Sequence, residues 1–305
     1  MKTKLSRRKF VATTGAAAAW VAGGGLAAAA ESSKGVKNRE HKICAFEKPL
    51  QGLSYDELAD FLAELGFNGV EATVRAGGHV LPEHAEEDLP RMVRALNKRG
   101  IEMTVLTSDI NSVSSPHADR VLRIAAKLGV KRYRMLWYRY DLKKPVAAQL
   151  EEIRPKLSEL AAMNRKLGVT ALYQNHSGAQ YVGSALWDSY SLIKEFDPKE
   201  IGLAYDIHHA TVEGGLNWPV QFNLVRSHIQ TVYVKDFVWD NRKVKDVPLG
   251  QGKVDPAFFT LLKQSDFDGP ISMHVEYLES GHDRKELADA FKKDFGTLKS
   301  WLDQA

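Results

Sequence analysis

The sequence has a single cysteine, Cys44, and it lacks both a compact metal motif such as His-Glu-x-x-His and a glycine-rich phosphate loop after its first apolar run. One thiol cannot form an internal disulfide, so a disulfide scaffold is excluded. Cys44 stands between Ile43 and Ala45, a setting typical of a small buried apolar residue.

The chain also lacks an excess of positive charge beyond its first residues. Its formal charge of +4 comes from 42 basic and 38 acidic residues, and five of the basic ones precede position 10. Without those five, 37 basic residues face 38 acidic ones, and they form no basic stripe. The sequence therefore gives no electrostatic basis for a nucleic-acid partner or for binding to an anionic membrane surface.

The first 30 residues have the pattern of a twin-arginine export signal. The pair Arg7-Arg8 lies directly before an apolar stretch from Val11 to Ala30 that ends in three alanines. This stretch is too rich in glycine for a convincing membrane span, so we expect cleavage after Ala30, with an uncleaved anchor as the alternative. The twin-arginine translocase is then a partner during export. The mature protein is expected to be periplasmic or otherwise extracytoplasmic, with no stable membrane span.

A polar linker, residues 31–40, precedes a region in which one pattern repeats: a helix-like segment, a glycine, then a short apolar run. Three copies of this pattern contain Leu-Gly, at positions 65–66, 128–129 and 167–168. Because glycine adopts the left-handed conformation that ends a helix, each copy predicts a helix, its C-cap and a strand. Helices are expected, for instance, at 55–65 and 147–167.

Counting every such apolar run predicts eight strands: 42–46, 69–74, 102–107, 132–138, 169–174, 201–206, 229–235 and 270–276. Eight strands alternating with helices favour an α/β fold, a single (β/α)8 TIM barrel over residues 41–305, rather than an open doubly wound sheet. In such a barrel the active site lies at the carboxyl ends of the strands. Polar residues at those ends are therefore the candidates for chemistry.

The predicted strand ends carry acids, histidines, a lysine and an arginine that would converge on one concave space. Asp206 and Glu276 end the sixth and eighth strands, where two carboxylates could share a divalent cation. His176 and His209 could complete the ligand set with imidazole nitrogens. A metal held in this way would polarise a substrate carbonyl or hydroxyl. Each residue alone could equally be a cap or a turn residue. A functional role is therefore expected only because these residues converge on one space.

At these residues the chain resembles the xylose isomerase-like barrel superfamily, the sugar phosphate isomerase/epimerase group that also includes tagatose epimerase-like enzymes and endonuclease IV. The segments that carry the resemblance are 66–71, 206–209, 232–236 and 275–276, in an order that spans essentially the whole mature chain. The resemblance implies a divalent metal held by an acid on strand five, an aspartate on strand six, a histidine on strand seven and a glutamate on strand eight.

Two of those four positions match this sequence and two depart from it. Asp206 and Glu276 match, whereas Gln174 replaces the acid and Tyr233 replaces the histidine. Glutamine can still offer a neutral oxygen, but tyrosine is a poor ligand unless it is ionised.

Two interpretations of the site therefore stay open. In one, a divalent metal (Mn, Co, Zn or Mg) is held by Asp206, Glu276, Gln174 and His176. In the other, the site is metal-free and the positive charge of Lys235 steadies an oxyanion.

The leading hypothesis is an exported isomerase, epimerase or related lyase that removes, with the assistance of a metal, a proton next to the carbonyl of a sugar, a keto-sugar or an oxidised glycoside. The expected catalytic groups are Glu276, His176 and Lys235. Export argues against a phosphorylated substrate, because sugar phosphates are mainly cytoplasmic. The remaining candidates are expected to contact the substrate: Glu71, Arg75, His79, Trp137, His209 and Tyr233.

Two other functions are compatible with the same barrel. A non-catalytic sugar-binding barrel would keep the pocket and lose the family's metal, which the changes at Gln174 and Tyr233 support. An abasic-site nuclease would need a cluster of several histidines and a basic rim, and neither is evident once the leader is removed. The sequence leaves a homo-oligomer open.

Overall fold

The helices and strands follow the repeated pattern of the sequence. The structure, a computed structural model, describes residues 41–278 and 282–305, so the predicted leader and linker, residues 1–40, lie outside the described residues. The strands of the described part are β1 (Ile43–Phe46), β2 (Gly69–Val74), β3 (Glu102–Ser108), β4 (Arg132–Arg134), β5 (Thr170–Gln174), β6 (Ile201–Asp206), β7 (Ile229–Val234), β8 (Asp236–Asp240), β9 (Lys243–Val247) and β10 (Ile271–Met273). The α-helices are α1 (Tyr55–Leu65), α2 (Ala85–Asn97), α3 (Ala118–Lys127), α4 (Val146–Leu167), α5 (Trp187–Ile193), α6 (Ile207–Gly214), α7 (Trp218–Val225), α8 (Ala257–Lys263) and α9 (Arg284–Gln304).

Eight of these strands form a closed parallel barrel in the order β1-β10-β7-β6-β5-β4-β3-β2. The ring closes because β1 pairs with β10 on one side and with β2 on the other. The predicted (β/α)8 TIM barrel is therefore confirmed. An antiparallel hairpin of β8 and β9 follows β7 and was not predicted.

Glycine ends the helices where the repeated pattern predicts it. Helix α1 begins with a capping box between Ser54 and Glu57 and ends at Gly66, whose φ is 82°. Helix α4 ends at Gly168, whose φ is 70°. Glycine enters this left-handed region without the steric cost that a side chain would bring. The predicted helix 55–65 is confirmed, and the second predicted helix begins one residue earlier than expected, at Val146.

Two barrel strands are shorter than the sequence predicts. The strand β4 ends at Arg134 and β10 at Met273, whereas strands were expected to reach 138 and 276. The next residues, Met135 and His274, each donate one more backbone hydrogen bond to the neighbouring strand, at 2.9 Å. The chain then leaves the sheet, so the side chains that follow are no longer bound to the strict alternation of a strand.

The interior of the barrel is filled with side chains. One fully buried cluster joins four strands: Val105, Leu172, Ala204 and Tyr233. Cys44 is buried, as predicted, and burial raises the pKa of its thiol to about 12, so the thiol is protonated at neutral pH. None of the helices within residues 41–278 and 282–305 combines the length and apolarity that a membrane crossing requires.

Candidate active site

Glu71 is a buried carboxylate whose two oxygens both have partners. One oxygen accepts the hydroxyl of Thr107 at 2.6 Å, and the other accepts the hydroxyl of Ser272 at 2.6 Å and faces Nε2 of His274 at 3.1 Å. Burial alone would raise the pKa of Glu71, but the charge and hydrogen bonds of its neighbours, His274 first, hold it at about 2. Glu71 is therefore ionised and fixes the position of His274.

His274 connects Glu71 to Glu276. Its other ring nitrogen, Nδ1, lies 3.7 Å from Oε2 of Glu276, and its ring lies between those of Phe46 and Tyr233, with centroids 4.4 and 4.5 Å away. Burial lowers the pKa of His274, but the two carboxylates outweigh it and raise the pKa above its ordinary value. His274 was not among the predicted site residues, although its ring joins two of them.

Lys235 places an ammonium group between two carboxylates. Its Nζ lies 2.6 Å from Oε2 of Glu276 and 4.0 Å from Oδ2 of Asp206. Burial works against the charged form, but Glu276 and Asp206 raise the pKa of Lys235 above its usual range. The same ion pair lowers the pKa of Glu276 well below its usual range, although burial alone would raise it. Both groups are charged at neutral pH.

Arg134 extends this charge network through Gln174. Nη1 of Arg134 donates to Oε1 of Gln174 at 2.7 Å, and Nε2 of Gln174 donates to Oδ2 of Asp206 at 2.8 Å. The amide orientation follows from its neighbours, because a guanidinium can only donate and a carboxylate can only accept. Arg134 was also missed by the sequence analysis, although an arginine inside a predicted strand was a usable signal.

Asp206 is fixed by local structure at the end of β6. It is the N-cap of α6, where its Oδ1 accepts the backbone N–H of His209 at 3.2 Å. The side chain of Asn175 binds both backbone groups of Asp206, at 2.8 and 3.0 Å. A carboxylate at a helix N-terminus is stabilised by the helix dipole. Its side chain is completely buried.

His176 is a half-buried imidazole that is neutral at physiological pH. Burial, followed by the charge of Lys235, lowers its pKa to about 4. Its Nδ1 donates to the backbone oxygen of Ser177 at 2.8 Å, so Nε2 carries the lone pair. The ring contacts His209, with centroids 4.0 Å apart, and Trp137, with centroids 4.6 Å apart. His176 thus presents an unprotonated nitrogen within a largely aromatic wall.

That wall continues along the carboxyl ends of β4 and β5. The guanidinium of Arg134 lies over the ring of Trp137, 4.5 Å from its centroid. The ring of Tyr181 contacts both Trp137 and His176, at 5.5 and 4.7 Å between centroids. Flat apolar surface beside ionised groups suits a sugar ring, which has an apolar face and a polar rim.

A second histidine cluster lies beside Asp206. His209 Nε2 is 3.5 Å from Oδ2 of Asp206 and has no hydrogen-bond partner among the described residues. His208 Nε2 faces Oδ1 of Asp246 on β9 at 3.1 Å, while its Nδ1 lies 3.2 Å from Nδ1 of His209. Burial and then Lys235 lower the pKa of His209 well below its ordinary value, so its ring is neutral.

Two predicted substrate contacts lie at the edge of this group. His79 is held by Oε2 of Glu47 at 2.7 Å and by the backbone oxygen of Leu53 at 2.9 Å, so both of its ring nitrogens have acceptors. Burial lowers the pKa of His79, but its bond to Glu47 raises it overall. Arg75, just after β2, is half-buried, and burial followed by the charge of Arg134 lowers its pKa. Their contacts with substrate stay predictions.

The residues at the family's four metal positions do not fit a divalent cation. The oxygen of Gln174 is bound by Arg134 and its NH2 faces Asp206, while burial raises the pKa of Tyr233 well above its usual range and keeps its phenol neutral. Lys235 already contacts Glu276. The donor set therefore matches a carboxylate cluster balanced by protein cations.

Asp206, His208 and His209, in contrast, form a group that could hold a metal ion. Their ligand atoms all lie within 4.8 Å of one another and all three residues are buried. The unpartnered Nε2 of His209 fits such a role, and the contact between His208 and Asp246 resembles the carboxylate–histidine pairing that orients metal ligands.

Comparison with known proteins identifies the class to which this fold and site belong. The family model described as "Xylose isomerase-like TIM barrel" matches residues 59–301, and the chain belongs to that family. Comparison with curated protein sequences gives no match.

Solved structures with the same fold share little sequence with this chain. The probable 3-DHS dehydratase AsbF from Bacillus anthracis has 16% identity and a TM-score of 0.66, covering 85% of this chain and 98% of that one. The 3-keto-D-glucoside 4-epimerase YcjR from E. coli has 16% identity and a TM-score of 0.65, covering 86% and 100%. IolI protein with a bound zinc atom has 17% identity and a TM-score of 0.67, covering 86% and 98%. At these identities the likeness is one of fold.

Proposed function

We propose that this protein is an exported enzyme that removes a proton next to the carbonyl of a sugar, a keto-sugar or an oxidised glycoside. The reaction is an isomerisation, an epimerisation or a related elimination. The observation that carries the proposal is the placement of an imidazole, His176, and a buried cation, Lys235, around one carboxylate. The rings of His176 and His209 lie 4.0 Å apart, and Oδ2 of Asp206 lies 3.5 Å from Nε2 of His209 and 4.0 Å from Nζ of Lys235. A neutral base and a fixed positive charge are the two groups that enolate chemistry needs.

Lys235 supplies the positive charge for the oxygen that becomes negative. Its Nζ donates to Glu276 in the free protein, and an ammonium group has further protons with which to bind a substrate carbonyl. A base with a pKa of about 4, as in His176, is weak. The pKa of the C–H bond next to the carbonyl must therefore be lowered by the cation that faces the carbonyl oxygen. Lys235 is thus as important as the base.

Glu276 provides a second proton acceptor in the same mouth. Its carboxylate is ionised and partly open to the mouth, with 16% of its side chain exposed. Inversion of a carbon needs one of Glu276 and His176 to take the proton and the other, protonated beforehand from solvent, to deliver a proton to the opposite face. Isomerisation needs one group to return the proton to the adjacent carbon while the hydroxyl proton passes to the former carbonyl oxygen. Loss of a group next to the enolate gives elimination. The three reactions thus share one set of side chains.

A metal held by Asp206, His208 and His209 would add a Lewis acid for a substrate oxygen. The side chains above perform their roles without it. Export by the twin-arginine route remains part of the proposal, because the arginine pair and apolar stretch of residues 1–30 are its only support. The names of two relatives of the same fold, a 3-keto-D-glucoside 4-epimerase and a 3-DHS dehydratase, support carbonyl-adjacent chemistry on a cyclic polyol.

A non-catalytic sugar-binding barrel is the second candidate. The exchange of two family metal ligands for Gln174 and Tyr233 favours it. Solvent deuterium exchange separates the two functions, since only an enzyme incorporates deuterium next to the carbonyl of a bound keto-sugar. Binding without incorporation across a panel of keto-sugars would support the binder and reject the enzyme.

A further inference from the structure

A cavity of about 590 Å³ lies beside the proposed reaction centre. This volume is within the about 300–1,000 Å³ typical of small-molecule pockets. Its walls come from the chain after β1, the chain after β10 and the start of α9. The lining residues include Lys48, Leu50, Gly52, Glu276, Leu278 and Leu287.

Glu276 connects this cavity to the centre. Its Oε2 contacts Lys235 at 2.6 Å, while its Oε1 contacts Lys48 at 3.0 Å. Lys48 and Glu276 both line the cavity, whereas Lys235 belongs to the centre. A ligand bound at Lys235 can therefore extend past Glu276 into the cavity without leaving the mouth of the barrel.

The basic side chains among the described lining residues all have acidic partners. Lys48 pairs with Glu276 at 3.0 Å, Arg284 pairs with Glu64 at 3.1 Å, and Nδ1 of His282 lies 3.0 Å from Glu286. A phosphate or carboxylate ligand would have to displace these partners. The electrostatics of the cavity thus favour a neutral occupant.

The walls of the cavity differ in kind from those of the centre. Aliphatic side chains dominate them, among them Leu50, Leu278 and Leu287, and no Phe, Tyr or Trp occurs among the described lining residues. The flat aromatic surface that suits a sugar ring lies instead at Trp137 and Tyr181. An aliphatic pocket gains most from an apolar group that leaves water.

We propose that this cavity binds the apolar aglycone of a glycoside whose sugar ring occupies the centre at Lys235 and Trp137. This inference rests on the proposed function and narrows its substrate class to glycosides that carry a neutral, apolar group. Free sugars fill the centre alone and leave the cavity to water.

Gly52 offers a way to fill the cavity without disturbing the fold. A Cβ atom added there meets nothing within 4 Å, and the backbone of Gly52 does not require a left-handed conformation. Because Gly52 lines the cavity, Gly52→Phe places a bulky ring at the cavity wall. Gly296, an exposed position on α9 with the same freedom, gives the matched control Gly296→Phe.

Titration calorimetry of the full mature chain with matched 4-nitrophenyl and methyl glycosides of several sugars tests the subsite. We expect the aryl glycoside of at least one sugar to bind about tenfold more tightly than its methyl partner. Gly52→Phe should abolish that preference and leave methyl glycoside binding unchanged, while Gly296→Phe changes neither.

Equal affinity of aryl and methyl glycosides for every sugar would overturn the subsite, and so would an aryl preference that survives Gly52→Phe. Deuterium exchange into free keto-sugars judges the proposed function separately, because those substrates never enter the cavity. Exchange without an aryl preference rejects the subsite alone. An aryl preference without exchange rejects the enzyme and keeps the subsite in a binding protein.

Discussion

The ammonium nitrogen of Lys235 lies 2.6 Å from Oε2 of Glu276. The family resemblance of the sequence implies a metal ligand at Glu276, whereas in the structure this glutamate is the partner of a protein cation. Three buried or nearly buried carboxylates, Glu71, Asp206 and Glu276, share the centre with Arg134, Lys235 and His274. The centre therefore has its own positive charge, and the proposed function depends on where that charge lies.

Removing the charge of Lys235 should strongly reduce turnover. We expect Lys235→Met to lower kcat by roughly 10²–10³, a loss typical of removing one oxyanion-stabilising donor. Lys48→Met is the matched control, because Lys48 also contacts Glu276, but 52% of its side chain is exposed, so we expect less than about a fivefold effect there. Steady-state kinetics on an active keto-sugar measures both. Equal losses in the two variants would show that the charge is not specific to the centre.

The metal content of the purified protein distinguishes a centre that holds a divalent metal through Glu276 from a centre whose carboxylates are balanced by protein cations. We expect no stoichiometric metal that depends on Glu276, because Gln174 and Tyr233 lack suitable donors. The double variant Gln174→Glu, Tyr233→His restores the family's ligand types and should gain a thermal shift with Mn²⁺, Co²⁺ or Zn²⁺, which Tyr233→His alone should lack. Elemental analysis and thermal shift measure these changes.

A stoichiometric metal in the wild type that disappears in Glu276→Ala would contradict a centre balanced by protein cations alone. A metal that disappears in His208→Ala and persists in Glu276→Ala would place it instead at the group of Asp206, His208 and His209.

The pH profile of kcat/KM should report the low pKa of His176. Because the active form is the unprotonated ring and its pKa is about 4, activity should stay level down to about pH 5 and fall as the pH drops through about 4. The charge of Lys235 contributes to this depression after burial, so Lys235→Met should move the acid limb of any residual activity upwards. His176→Phe should remove activity by roughly 10²-fold or more. An acid limb near 6.5 would contradict the assignment.

The raised pKa of Asp294 predicts the direction in which the stability of the protein changes with pH. Burial, against a hydrogen bond from the backbone of Leu249 at 3.1 Å, raises the pKa of Asp294 to about 6 from its ordinary 3.8. The folded protein thus holds this proton more tightly than the unfolded chain, so the stabilising contribution is present below about pH 4 and is lost as the pH rises through about 6.

Urea denaturation of the wild type and of Asp294→Asn measures this difference. The variant has no titrating group at this position. The free energy of unfolding of the variant minus that of the wild type should therefore be about 2–3 kcal/mol larger at pH 7 than at pH 4. Parallel pH dependences in the two proteins would reject the raised pKa.

Much of the fold could be predicted because it depends on local signals. Gly66 and Gly168 end helices through their own backbone freedom, which a sequence displays directly. The end of β4 was overestimated because an apolar run, residues 135–138, continues past the point where the chain leaves the sheet, and the end of β10 was overestimated as well. The β8-β9 hairpin was not predicted because β8 begins two residues after the end of β7, and so Asp246, which contacts His208, could not be placed.

The candidate site was predicted in outline, but its connections could not be. Asp206, Lys235, Glu276 and His176 were named from their positions at strand ends, and the structure brings them together. That Arg134 binds Gln174 depends on the register between β4 and β5, which no local pattern encodes. The position of His79 against Glu47 likewise depends on contacts between separate loops.

Solvent deuterium exchange tests the central claim most directly. The mature protein is incubated in D₂O with a panel of free keto-sugars, and NMR locates deuterium in the recovered sugars. The account predicts incorporation at a carbon next to the carbonyl of at least one sugar with the wild type, and its loss with His176→Phe and Lys235→Met. Incorporation that persists in both variants, or no incorporation into any sugar that binds, would contradict it.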